Sequence, residues 1–235
     1  MDLLNSKKHW SLRSTLIITL FVFLLFSLIQ TLILLLYTSS SQEILTENVA
    51  YENIGVISIV SSIIGIIFLI SFTKFKSSSV KQYLNLYLPT VNISIVFLLI
   101  SFFVMFAMEY ASKLYPDLFE TDFAIESYKQ AKNLPAFYLG VVLFGPVFEE
   151  FLFRGFLFKG LEKSILGGHG AVFVSAIFFS IVHIQYGIYI LLFMMFPIAI
   201  LLGYARLKSG SLLLPILIHM INNLATCLLV HFEVY

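Results

Sequence analysis

Apolar runs long enough to cross a bilayer recur along the whole of this chain, and they constrain its fold more than any other feature. A helix crosses the hydrocarbon core in about 20 residues. On that template the sequence divides into seven crossings, at about 14–37, 53–73, 86–108, 135–158, 170–188, 189–207 and 211–231. Of the 235 residues, 60% are hydrophobic and only 11% charged, where soluble domains carry about 25% charged residues. Backbone polar groups find no water inside a membrane, so runs of this length must be helical. The expected fold is all-α, a polytopic transmembrane bundle of about seven helices. The number becomes eight if the segment "YPDLFETDFAIESYKQAK" (115–132) also crosses, but its charges suit a helix lying in the interface. The first run follows Lys7, Lys8 and Arg13 as a signal peptide would, yet its apolar core is too long and no small-residue cleavage pattern follows. It reads as a retained helix.

Charge sets the direction of the crossings. Lys7, Lys8 and Arg13 precede the first, Lys74, Lys76 and Lys81 follow the second, Lys159 and Lys163 the fourth, and Arg206 and Lys208 the sixth. The intervening loops carry Glu43, Glu47 and Glu52, then the acid-rich stretch 109–132. Basic loops stay in the cytoplasm, which places the N-terminus there in a multi-pass protein. Lys plus Arg total 14 against 13 for Asp plus Glu, so there is no basic excess for nucleic acid. The lone Cys227 forms no disulfide within the chain and fits no metal spacing.

An ionisable side chain at the bilayer centre costs about 2.5–3.5 kcal/mol on insertion scales, so each one needs a partner or a purpose. "GPVFEEFLFRGFLF" (145–158) holds Glu149, Glu150 and Arg154; "FSIVH" holds Phe179 and His183; "HMINN" holds His219, Asn222 and Asn223. Glu150 and Arg154, four apart, share a helix face and can pair. Glu149 lies about 100° round the helix and has no partner in its own segment. His219 and Asn223 share a face, while Asn222 points elsewhere. Counted from the basic end of each crossing, Glu149 lies about 15 Å deep, His183 about 20 Å, His219 about 14 Å and Asn223 about 20 Å. Three helices thus bring polar groups into nearly one layer.

Each group alone has a plainer account. Glu150 and Arg154 suit a structural ion pair, a lone buried histidine suits a hydrogen bond, and His219 with Asn223 suits the polar contacts that join membrane helices. The unpaired Glu149 and the shared layer favour a functional site. Pro146 and Pro215 precede Glu149 and His219 by about one turn, where each frees a carbonyl that a polar cavity can satisfy.

Taken together, "EEFLFR", "FSIVH" and "HMINN" resemble the EExxxR, FxxxH and HxxxN signatures of the CPBP family. That family contains the CAAX prenyl proteases and the bacterial Abi proteins linked to bacteriocin immunity. The resemblance covers about 134–225 and includes the flanks "FRG" and "GYARLKSGSLLLPILIH". It implies one structural domain in which 1–133 supply N-terminal transmembrane helices and connecting segments and 134–235 a catalytic core. It further implies an intramembrane endopeptidase whose buried site opens to the cytoplasm. Glu149 would activate water and His183 would help hold it. His219 and Asn223 would stabilise the oxyanion, with Glu150, Arg154 and Phe179 in support.

Peptide hydrolysis needs a base for water and donors aimed at the developing oxyanion, and these side-chain types supply both. A carboxylate with two imidazoles also suits zinc, through Glu149, His183 and His219. There is no HExxH pairing, and a metal-free glutamate mechanism that requires no cofactor is the preferred expectation. The expected partners are a lipid bilayer and a membrane-associated peptide or small protein, such as a leader peptide, pheromone precursor or bacteriocin. The alternative is a non-catalytic immunity or binding protein on the same scaffold. A proton-coupled transporter fits less well, because no inverted repeat is visible. The Ile, Lys, Ser and Asn usage suggests an AT-rich bacterial source, hence a bacterial cytoplasmic membrane.

Overall fold

The computed structural model describes residues 9–41, 47–119 and 122–232, and among them the regular structure is all helix, without strands. Lys7, Lys8 and Glu43 lie outside the described residues. The helices are α1 Leu12–Ser41, α2 Glu47–Lys76, α3 Val80–Leu84, α4 Val91–Leu114, α5 Asp122–Lys129, α6 Leu134–Glu162, α7 Gly167–Ile181, α8 Ile188–Ser209 and α9 Leu213–His231. Among the described residues six of these, α1, α2, α4, α6, α8 and α9, are long and apolar enough to cross a membrane. The protein is a helical membrane bundle. Leu20, Leu24 and Leu28 of α1 and Ile95, Leu99 and Phe103 of α4 are exposed, as side chains facing lipid should be.

The fifth expected crossing differs in length. Instead of reaching residue 188, α7 stops at Ile181 after 15 residues, about 22 Å at 1.5 Å per residue. Beyond it the chain makes a short 3-10 turn over Ile184–Tyr186 and reverses at Gly187, whose φ of 90° and ψ of 158° suit a residue without a Cβ. His183 therefore sits on the turn after α7 rather than within the helix. The segment 115–132 does not cross; it holds the short helix α5, packed against α2 and α9.

The two ends of the bundle are chemically distinct. At one, Trp10 donates from Nε1 to Phe72 O at 3.2 Å, and Lys76 lies over its ring. There too Asn85 donates to Gly210 O at 3.1 Å, joining the α3 cap to the α8–α9 turn. This is the end of Lys74, Lys81, Lys159, Lys163 and Lys208. At the other, Lys132 pairs with Glu52 at 2.7 Å and Lys113 with Glu109 at 3.1 Å, and Phe123 of α5 packs edge-on against Tyr186.

At the centre, α6 packs on α1, α2, α7 and α9. A Cβ on Gly55 would lie 2.4 Å from Phe137 N, and one on Gly140 would lie 2.5 Å from Gly55 O. Only glycine lets α2 and α6 approach so closely, which is how membrane helices gain packing contact. Ser58 of α2 uses the approach, donating to Gly140 O at 3.1 Å.

Candidate active site

The two glutamates stand on a helix whose hydrogen-bond ladder changes pitch. Leu139–Phe144 and Phe151–Leu157 of α6 are π-helical, on either side of an α-helical turn at Gly145–Glu150. Pro146 has no N–H to return to the preceding turn, and the N–H of Gly145 reaches five residues back to Gly140 O. Such wide turns recur at functional sites because they re-aim the side chains around them.

Glu150 is fully buried. Its Oε1 accepts from Arg154 Nη1 at 2.9 Å and from His219 Nδ1 at 3.0 Å. Arg154, equally buried, donates from Nη2 to Ala199 O at 3.0 Å and lies over the Phe179 ring at 4.4 Å. The ion pair read from the sequence is present, and it also holds one of the histidines.

Glu149 behaves differently. Its side chain is 24% exposed, and its Oε2 stands 3.8 Å from His183 Nε2 and 3.8 Å from His219 Nε2. That oxygen is buried and has no hydrogen-bond partner among the described residues. His183 donates from Nδ1 to Phe179 O at 2.7 Å, since a carbonyl can only accept. This fixes the tautomer and leaves Nε2 of the neutral ring with a lone pair towards Glu149. Phe179 fills the space between the groups: its ring lies 4.5 Å from that of His183 and 5.6 Å from that of His219. Asn223 donates to Val141 O, in the first π-helical stretch, at 2.9 Å.

Glu149, Glu150, Arg154, Phe179, His183, His219 and Asn223 therefore come together from α6, α7 with its following turn, and α9. Two further residues join them. Asn222 points off the face of His219 and Asn223, as expected, and towards α4: its Oδ1 accepts from Ser101 at 2.8 Å, and it also lines the cavity. Arg206, read from the sequence as a charge of a basic loop, is instead buried. It donates from Nε to Arg154 O at 3.1 Å and lies over the Phe158 ring. The only hint was its place three residues after Gly203, where helix packing is close.

Residues 131–225 match the family model described as type II CAAX prenyl endopeptidase, Rce1-like. The match starts just before α6 and ends within α9, so it takes in every site side chain identified above. Over residues 131–225 the chain is therefore similar to the CPBP family, which the three motifs of the sequence also resemble. A membrane-embedded CAAX protease, MroQ, of Staphylococcus aureus (strain USA300) is 29% identical over 98 residues, which is 40% of this chain and 38% of that protein. The chain thus matches well under half the length of that curated relative. No solved structure matches the chain.

Zinc in this CPBP-like core would draw on Glu149, His183 and His219, whose donor atoms would have to stand about 2.0–2.2 Å from one centre. As arranged they do not fit: among the described residues no three His, Cys, Asp or Glu side chains are grouped to hold a metal ion.

This CPBP-like core forms one wall of a cavity of about 1120 Å³, whose other walls come from α1, α2, α4 and α5. Glu149, His183, His219 and Asn223 lie on it, among mostly apolar neighbours such as Phe26, Phe102, Met105 and Met195. Its direction corrects the expectation of an opening at the basic end. Lining residues include Tyr51, Glu109, Ser112, Phe123 and Gln185, at the end of the Glu52–Lys132 pair, and none falls between 154 and 178 or between 199 and 218. Below the site, Phe156, Leu157, Phe158, Leu161, Val172 and Leu212 are packed shut, none more than 1% exposed.

Proposed function

We propose that this chain is an intramembrane endopeptidase of the bacterial cytoplasmic membrane, hydrolysing a peptide bond in a membrane-associated peptide or small protein. The observation that supports it is the Oε2 of Glu149, buried, unpartnered and 3.8 Å from two imidazole nitrogens. Buried polar atoms are normally satisfied, and a gap of this size between polar atoms suits a bridging water.

In the proposed reaction the water gives a proton to Glu149 while its remaining O–H stays on the oxygen and donates a hydrogen bond to His183 Nε2. The water oxygen attacks the peptide carbonyl carbon, and the C=O electron pair moves onto oxygen. His219 and Asn223 stabilise that charge. Asn223 has an amide hydrogen left after bonding Val141 O, because its nitrogen carries two. For His219 to donate, Nε2 must carry a proton as well as Nδ1; Glu150, already accepting from Nδ1, stabilises that charged ring. Collapse breaks the C–N bond, and the proton held by Glu149 passes to the leaving nitrogen.

Arg154 and Phe179 hold this arrangement without touching the peptide. The apolar lining suits a hydrophobic stretch of substrate, of the kind found in leader peptides and pheromone precursors.

The test uses purified protein in proteoliposomes and a set of fluorogenic apolar peptides. Hydrolysis by the wild type and its loss in Glu149→Gln, at equal folded protein, supports the proposal. Substrate binding by both proteins without hydrolysis by either means a non-catalytic immunity or binding protein. The mechanism needs no metal, so hydrolysis continues undiminished in excess chelator; abolition that added zinc reverses would require a metal step.

A further inference from the structure

We infer that the site takes its peptide from the non-cytoplasmic face of the membrane, so that the reaction supplying its substrate is one that exports or translocates a peptide. The inference rests on the protease reading for its substrate, but its geometry is independent of that reading. Two observations carry it.

The first is where the bundle is open. The cavity leads from Glu149, His183 and His219 towards the end formed by α5, the last turns of α4 and the turn after α7, with Ser112, Phe123 and Gln185 among its lining residues. Towards the opposite end, about 12 Å of α6 separates Arg154 from Glu162, and that length is filled. Leu157, Phe158, Leu161, Val172 and Leu212 are buried there, and Arg206 bridges α8 to Arg154 O beneath the cluster. A peptide arriving from that side would have to displace a close-packed core, which resists any change of volume.

The second is which end carries the cations. Lys74, Lys76, Lys81, Lys159, Lys163 and Lys208 all belong to the closed end. The open end carries fewer, Lys113, Lys129 and Lys132, of which Lys113 and Lys132 are each paired with a glutamate. Because Lys and Arg are retained in cytoplasmic loops, the closed end is cytoplasmic and the cavity faces outward. The catalytic layer is then reached through the outer half of the membrane. Its walls there, α1 and α4, belong to different packing pairs, α1 with α2 and α4 with α8 and α9. A chain held in the outer leaflet can enter between them.

Cysteine labelling tests the direction. Cys227 is the sole cysteine in the sequence and is buried, so a Cys227→Ala background carries single cysteines in turn: Ser112→Cys and Gln185→Cys at the open end, Ser78→Cys at the closed end. Intact cells are treated with a membrane-impermeant maleimide, before and after permeabilisation. The expected result is full labelling of Ser112→Cys and Gln185→Cys in intact cells and labelling of Ser78→Cys only after permeabilisation. Protection of both open-end positions in intact cells, or labelling of Ser78→Cys without permeabilisation, overturns the inference. The same labelling on Glu149→Gln needs no activity. A peptidase that fails to hydrolyse but labels as expected therefore leaves the direction standing, and one that hydrolyses but labels in reverse removes it.

Discussion

Adjacent in sequence, Glu149 and Glu150 occupy opposite situations, and the difference follows from their neighbours. Glu150 is fully buried and bonded through Oε1 to Arg154 and His219, its Oε2 without a partner among the described residues; Glu149 reaches the cavity, and its own unpartnered Oε2 stands between two imidazoles. Removing one member of a buried pair strands the other charge, at a cost of about 3–5 kcal/mol. Glu150→Gln is therefore expected to lower the thermal midpoint and the yield of folded protein, and Glu149→Gln to leave both near wild type; thermal melts in detergent compare them. Much at this scale was legible. A second carboxylate with no cation within its own turn, in a segment otherwise suited to hydrocarbon, singled out Glu149 directly. The partner of Asn222 and the burial of Arg206 were hidden for separate reasons. A 100° step round α9 removes Asn222 from the face of Asn223 but carries it towards α4, which is itself a cavity wall. Arg206 near a helix end is indistinguishable from a loop cation until the neighbouring helices are placed.

Among the elements, α9 joins the catalytic layer to α4 through the Ser101 hydroxyl and Asn222. Interhelical hydrogen bonds in membranes average about 0.6 kcal/mol. Ser101→Ala is thus expected to destabilise the bundle by about that amount, a shift measurable by denaturant titration, while leaving the Glu149 cluster intact. Hydropathy recovered the long crossings because each ends in charge or in a turn. It failed at α7 because "VHIQYGIYILL" is apolar on both sides of the chain reversal, so a length template of about 20 residues carries the helix past its true end. Gly187 was the only local mark of the stop. The π-helical turns of α6 were half visible: Pro146 announces a broken ladder, but the pitch the backbone adopts depends on the close approach of Gly55 and Gly140.

At the scale of the whole molecule, charge and packing answer different questions. Loop cations, visible in the sequence, orient the bundle, whereas the side on which it is hollow depends on how side chains from many helices fill space. The expected opening towards the basic end was for that reason out of reach of sequence and is reversed by the packing of Phe156, Phe158, Leu161 and Leu212. Vesicles of defined sidedness follow this through to turnover: right-side-out vesicles should cleave added peptide, and sealed inverted vesicles should do so only after permeabilisation. The account as a whole stands on the work assigned to one carboxylate. The most direct measurement is the rate of peptide hydrolysis by Glu149→Gln relative to wild type, in matched proteoliposomes with equal folded protein. A general base contributes about 10²–10⁴ in rate, so the account predicts a fall of at least about a hundredfold; hydrolysis at the wild-type rate would contradict it.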